Sequence, residues 1–272
     1  MRTKNGTGDM NVIAIANQKG GVGKTTTAVN LAACLSRAGR RVLLVDLDPQ
    51  ANATDHLGVE NPADEKHSSY ALIAEKTPDI KSIVLPIAPN LALAPGHIAL
   101  AEIDIKLFTT LNREARLRRA LAQVANDYDY TIIDCAPSLG ISTVNAFCAA
   151  THIIITIQTN WFAYEALKRL MAIAQDVIAE SNPQLITYAL ATIHRSNVNS
   201  NRDVFARIQE DFEDLAMKTT IHHTATLVEA SIAKQPIVDY ANGSKAHKEY
   251  QQLAEEVISR VERQQNAEAQ VS

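Results

Sequence analysis

Cysteine is scarce in this 272-residue chain, and Cys34, Cys135 and Cys148 show neither disulfide nor metal-cluster spacing. A cysteine-built metal centre is thereby excluded and a reducing compartment implied. Cys34 and Cys148 fall on apolar helix faces as small core residues. No apolar run is long enough to span a bilayer. The opening Met1–Met10 is polar and lacks the apolar segment of a secretory signal, so a cytoplasmic chain is expected. Charge of one sign is missing too. A formal net charge of −4 exerts no global pull toward nucleic acid or an anionic membrane, so any DNA contact must come from a local patch. Internal repeats are absent. What remains is ordinary: 46% apolar and 21% charged residues, in a chain long enough to bury a core without staples.

Short apolar runs alternate with helical spacing. Val12–Ala16 reads as a strand, then come a glycine-rich loop, a helix over Thr25–Ala38 stopped by Gly39, and a strand over Arg41–Leu47. Strand, loop, helix, strand is a βαβ unit and implies a parallel sheet. The rhythm continues with strands at Tyr130–Asp134, His152–Gln158, Leu185–Ile193 and Met217–Ile221. Helices are expected over Leu139–Ala149, Ala163–Glu180, Asn201–Asp214, Thr226–Ala233 and Ser244–Val261. The strands are unbroken Ile/Val/Thr runs, as a sheet covered on both faces requires. Between Asn52 and Leu100, prolines 62, 78, 86, 89 and 95 punctuate short pieces. A helix is assigned to Tyr70–Ala74 and strands near Ile83–Leu85 and Leu91–Ala94. The expectation is one α/β domain over residues 11–261: a mostly parallel twisted sheet of seven or eight strands, helices on both faces, of the phosphate-loop NTPase kind. A flexible N-terminus (1–10) and a polar C-terminal tail (262–272) flank it.

The chemistry begins at Gln18-Lys19-Gly20-Gly21-Val22-Gly23-Lys24-Thr25, followed by Thr26. Gly20, Gly21 and Gly23 let successive amides turn toward one anion, and the following helix adds its positive end. Lys24 suits β/γ-phosphates, and the Thr25 hydroxyl suits Mg²⁺. Where the usual pattern has its first glycine stands Gln18, and a second lysine, Lys19, follows. One bound triphosphate needs one such ammonium. The second is free to reach a neighbouring subunit's nucleotide, which suggests a nucleotide-sandwiched dimer. Two acids stand at strand ends, Asp48 in Asp46-Leu47-Asp48-Pro49 and Asp134 in Ile132-Ile133-Asp134-Cys135-Ala136-Pro137. Residues there surround the ligand of an open parallel sheet. One carboxylate can hold Mg²⁺ through water, and the other can orient the attacking water. Asp46 either supports the site from behind or caps its strand.

Asn17–Thr27, Val45–Gln50, Ile133–Gly140 and Pro236–Tyr240 with Ser244-Lys245 together resemble the ParA/MinD family of deviant phosphate-loop ATPases, most closely its ParA branch. The likeness runs from about Val12 to about Glu256. It implies ATP and Mg²⁺ as cofactors, bound along Lys19, Gly20, Gly21, Val22, Gly23, Lys24, Thr25 and Thr26. Lys19 becomes the signature lysine acting across the dimer, Asp48 part of the first switch supporting hydrolysis, and Asp134 the second-motif acid near Mg²⁺. Thr25, Asp48 and Asp134 form the metal set, Asp134 through water. The resemblance further implies a homodimer when ATP-bound, non-specific binding of double-stranded DNA in that state, and a ParB-like or other adaptor that stimulates hydrolysis. The cargo, DNA or protein, is moved over the nucleoid, so the chain is expected to be nucleoid-associated.

Three positions depart from the branch. Arg195 stands where the family often has aspartate, and Asn197 where its DNA-binding arginine follows. A second family arginine, near Thr226, is missing. Ile221-His222-His223-Thr224 replaces the usual Ile-Pro-Arg-Asn near the adenine. His222 is taken as the adenine-side contact, although adjacent histidines are also a common surface feature. Basic and acidic residues balance from Arg195 onward, so Arg195, Arg202, Lys234, Lys245 and Lys248 form a DNA surface only if they converge in space. Trp161 and Phe162 read as core or subunit contact. A MinD-like membrane-surface regulator is the alternative, but residues 255–270 carry too few basic and large apolar residues for a membrane-lying helix. An iron–sulfur reductase needs a second cysteine that Cys135 lacks, and a metabolic ligase needs a substrate pocket that no motif identifies.

Overall fold

The computed structural model describes residues 10–60, 64–165 and 167–271. Eight strands form one sheet: β1 Asn11–Ala16, β2 Val42–Leu47, β3 Leu85–Ala88, β4 Leu91–Ala94, β5 Tyr130–Cys135, β6 His152–Gln158, β7 Ile186–His194 and β8 Ala216–His222. Their order is β3-β4-β2-β5-β1-β6-β7-β8. Every neighbouring pair is parallel except β3 with β4. The loop after β1 therefore opens at the middle of the sheet, beside the ends of β5 and β6.

The period-2 alternation of a strand divides the core in two. Val12, Ala14 and Ala16 of β1, with Leu43, Val45 and Leu47 of β2, face one apolar layer. Ile13 and Ile15, with Val42 and Leu44, face the other. The first layer is closed by the helices Arg116–Ala122, Ile141–Ala149 and Leu167–Glu180, and the second by Lys24–Arg37 and Lys245–Val271. Because both faces are covered, β2 and β5 are buried at every position, and a strand buried on both faces cannot show a polar stripe.

Several boundaries differ from expectation. The segment read as a strand near Ile83 is a short helix, Ile80–Ile83, because Asp79 accepts a hydrogen bond from the Lys81 amide and caps it. Pairing begins only at Leu85, as an antiparallel edge. The chain from Ile98 to Ala122, left without elements above, folds into short helices. Met10 belongs to the core rather than to the N-terminal arm: it is buried, and its sulfur accepts the Thr131 hydroxyl at 3.0 Å. The remainder of that arm, and Pro62, lie outside the described residues. The last helix does not stop at Val261 but runs on to Val271, through the stretch read as a tail. The helix expected over Ala163–Glu180 is helical on both sides of residue 166, over Trp161–Glu165 and Leu167–Glu180. Among the described residues no helix is long and apolar enough to cross a membrane.

Candidate functional site

Between Ala16 and Lys24 the chain must turn from a central strand into a helix. Gly21 and Gly23 sit at φ of 72° and 85°, the left-handed region that a side chain disfavours. Asn17, buried at the end of β1, braces the turn. Its Nδ2 donates to the Thr156 carbonyl at 2.7 Å, and its Oδ1 accepts the Lys19 amide at 2.9 Å. From the other side the Thr192 hydroxyl of β7 donates to the Val22 carbonyl at 2.8 Å. No side chain caps the helix Lys24–Arg37. Its first amides and its positive dipole end are left for an anion.

The loop forms one wall of a cleft of about 510 Å³, through Gly20, Gly21, Gly23, Lys24, Thr25 and Thr26, with Asp48 beside them. That volume lies in the ~300–1,000 Å³ range of small-molecule sites. Gln50, Asn52, Asp55, His56, Pro137, Ser231 and Ile232 complete the lining. Val22 is fully buried behind the loop. Lys24 is also buried, with its ammonium donating to the Lys19 carbonyl at 3.0 Å. Burial pulls the Lys24 ammonium below the usual lysine range, and the charges of Asp134 and Asp48 oppose that pull.

Three carboxylates gather under the loop, and their environments separate their roles. Asp46 and Asp134 face each other in register across β2 and β5. Asp46 is saturated: Oδ2 accepts the Thr54 amide at 2.9 Å and the Thr54 hydroxyl at 2.7 Å, and Oδ1 accepts the Asp48 amide at 3.2 Å. It therefore organises the turn that carries Asp48, settling the alternative left open above in favour of support from behind. Burial pushes the Asp46 carboxyl up to about 6 against those bonds. Asp48 accepts the Gln50 amide at 2.9 Å through Oδ1.

Asp134 is the opposite case. It is fully buried, and among the described residues neither oxygen has a hydrogen-bond partner of good geometry; the Thr25 hydroxyl is close enough only to lower its pKa weakly. Burial, then the Asp46 charge, push its carboxyl well above the usual range, while Thr25 and Lys24 pull the other way. An uncompensated buried carboxylate is expensive. The nearby Thr25 hydroxyl and Asp48 make a hard-oxygen donor set, which fits Mg²⁺ completed by phosphate and water.

Lys19 stands apart. Its backbone belongs to the loop, but its side chain does not line the cleft, and among the described residues no hydrogen bond or ion pair engages its ammonium. His222 does not line the cleft either. Its Nδ1 lies 2.8 Å from Glu249 Oε1, and its ring meets His194 edge-on. The basic candidates separate into two groups. Arg195 and Arg202 are exposed where β7 leads into the helix Asn199–Phe212. Lys245 joins that end of the sheet through Glu249, which also holds His222, and Lys248 is exposed one turn along the same helix. Lys234 lies instead on the cleft side, 2.8 Å from Asp55. Trp161 and Phe162 are exposed, so the core alternative fails for them. Asn17, Gln50 and Pro137 lie inside the motifs quoted above, but nothing local gave them these roles. Thr54 and Thr192, with Asp55, His56, Ser231 and Ile232 of the cleft, fall in no motif.

Residues 10–187 match the family described as an AAA domain. The sporulation initiation inhibitor protein Soj of Bacillus subtilis is 42% identical over 249 residues, 91% of this chain and 98% of that protein. The chromosome partitioning protein ParA of Caulobacter vibrioides is 36% identical over 263 residues, 96% and 98% of the two chains. Among solved structures, cobyrinic acid a,c-diamide synthase from Mycobacterium smegmatis, with a bound ATP analogue and magnesium, superposes with a TM-score of 0.80. It is 32% identical, over 93% of this chain and 96% of that one.

Proposed function

Because this chain belongs to the ParA/MinD family of phosphate-loop ATPases, we propose that it is an ATP-gated dimer that holds DNA in the nucleotide-bound state and lets go after hydrolysis. The loop amides and Lys24 bind the β/γ-phosphates. Thr25 and Asp134, with Asp48, would hold Mg²⁺, whose charge neutralises the phosphate oxygens. Asp48 orients the attacking water. Two subunits close face to face, and Lys19 of each reaches the other's triphosphate. Arg195, Arg202, Lys245 and Lys248, doubled by the dimer, form the DNA surface. Lys234 is held by Asp55 and is given no part in it. An adaptor of the ParB kind stimulates hydrolysis, and the cargo moves over the nucleoid in the cytoplasm.

The observation that carries this reading is Lys19: a lysine built into the phosphate loop, outside its own cleft, with an unengaged ammonium. A purely local phosphate site has no use for that placement. The name of the M. smegmatis protein raises an amide-forming synthase as a rival. Such an enzyme needs a second substrate beside the phosphates. The cavity of about 350 Å³ next to Cys34 and Arg37 lies instead at the far end of the phosphate-loop helix. Fourteen residues of helix separate the two by about 20 Å.

Light scattering with ATP and Mg²⁺ tests the proposal. The natural chain should double its mass. Lys19→Ala should bind ATP yet stay single, and its turnover should fall about 100-fold or more, the usual loss for one transition-state donor. A Lys19→Ala protein that dimerises and turns over normally would end the cross-subunit assignment.

A further inference from the structure

The end of β7 joins the phosphate loop to the basic surface through three consecutive residues. Thr192, 1% exposed, grips the loop through its hydroxyl bond to Val22, and its Cβ is the nearest atom that a side chain on Gly23 would meet. His194 is buried, with Nδ1 3.2 Å from the Thr159 hydroxyl and its ring against Phe205. Between them Ile193 sits at φ 50°. For a β-branched residue that is a true outlier, one that persists only where the surroundings impose it. The pairing of β7 with β8 slips at this point, between Ala191 and His194.

Arg195 comes next, and its position is locked. One oxygen, Asn201 Oδ1, accepts both the Arg195 amide at 3.2 Å and the Thr159 hydroxyl at 3.3 Å. The Thr159 amide in turn donates to the Thr192 carbonyl at 3.3 Å. The circuit is closed: Val22, Thr192, Thr159, Asn201 and Arg195 are linked by hydrogen bonds, and the strained Ile193 bridges the chain within it.

We propose that this segment is a relay, in which the phosphate loop pulls on Thr192 and the left-handed Ile193 converts that pull into a shift of the Arg195 loop. Strain at Ile193 gives the segment two states, held and relaxed, and a change at Val22 selects between them. The relay rests on the nucleotide-switch reading above for its ligand. It does not require that Arg195 touch DNA.

Hydrogen exchange at the amides of residues 195–201 tests it, with and without a saturating non-hydrolysable ATP analogue and Mg²⁺. Bound analogue is quantified in each sample. In the natural chain, saturation should change exchange there at least about tenfold, the scale of a modest coupling free energy. Ile193→Gly accepts a left-handed φ without strain, so the link goes slack and the change should fall below about twofold. Thr192→Val, measured at full occupancy, should lose the change as well, and Thr192→Ser should restore it. No nucleotide-dependent change in the natural chain overturns the relay. So does an undiminished change in Ile193→Gly or in analogue-saturated Thr192→Val. DNA retention measured in parallel separates the two readings: a loop that responds to nucleotide in a chain that never binds DNA sinks the DNA assignment and leaves the relay standing.

Discussion

Replacing Asp134 by asparagine should stabilise the nucleotide-free protein, contrary to the usual effect of altering a buried residue. Asp134 is fully buried and lacks a hydrogen-bond partner of good geometry among the described residues. Its ionised form therefore carries a desolvation penalty of several kcal/mol, only partly offset by the Thr25 hydroxyl and Lys24. An amide removes the charge but leaves its own polar atoms poorly matched, a cost of about 1–3 kcal/mol. The net gain is about 1–3 kcal/mol. At roughly 2–4 °C per kcal/mol for a domain of this size, Tm should rise by about 2–12 °C at pH 7.5. The pH dependence has a definite sign. A carboxyl whose folded pKa lies above its unfolded value favours folding at low pH, and that advantage is lost as pH rises through the folded pKa. The Tm gap between Asp134→Asn and the natural chain should therefore be near zero at pH 4 and open as pH increases. Asp46→Asn is the internal control, because Asp46 accepts three hydrogen bonds and the substitution breaks at least one. It should destabilise by about 1–3 kcal/mol. Calorimetry over pH 4–8 without nucleotide reads both. If Asp134→Asn melts lower than the natural chain throughout, the carboxylate is compensated in the free protein and the metal-site argument loses its basis.

The Lys24→Ala variant should lose nucleotide binding by titration calorimetry, and micromolar affinity there would contradict the loop assignment. In Asp48→Ala, binding should persist while hydrolysis falls at least about 100-fold, so an ATP-bound dimer accumulates. Monomer alone in the presence of ATP would count against that role. Loss of Arg195 as alanine should weaken DNA retention and lower the slope of log affinity against log salt by roughly one unit per phosphate contact removed. An unchanged slope would move the contact elsewhere.

The central strands were legible because each is buried on both faces and reads as an apolar run with a sharp end, as in His152–Gln158, whose observed bounds match the expected ones. The phosphate loop was legible because its chemistry is local: the glycines, the lysines and Thr25 lie within one turn of chain. The stretch from Ile98 to Ala122 was not, since its elements are three to seven residues long, too short for a helical period to register, and Asn112 breaks them with a left-handed φ of 52°. The bracing of the loop was hidden for another reason. Asn17 meets Thr156 across 139 residues, and Thr192 meets Val22 across 170, so no window of sequence holds both partners. The contact of His222 with Glu249, 27 residues along the chain, was hidden in the same way.

The most direct test of the cross-subunit account is a crystal structure with a non-hydrolysable ATP analogue and Mg²⁺. The account predicts a two-fold dimer in which each Lys19 Nζ lies about 3 Å from a γ-phosphate oxygen held by the other subunit. A Lys19 ammonium bonded to its own subunit's phosphates, or left in solvent, would contradict it.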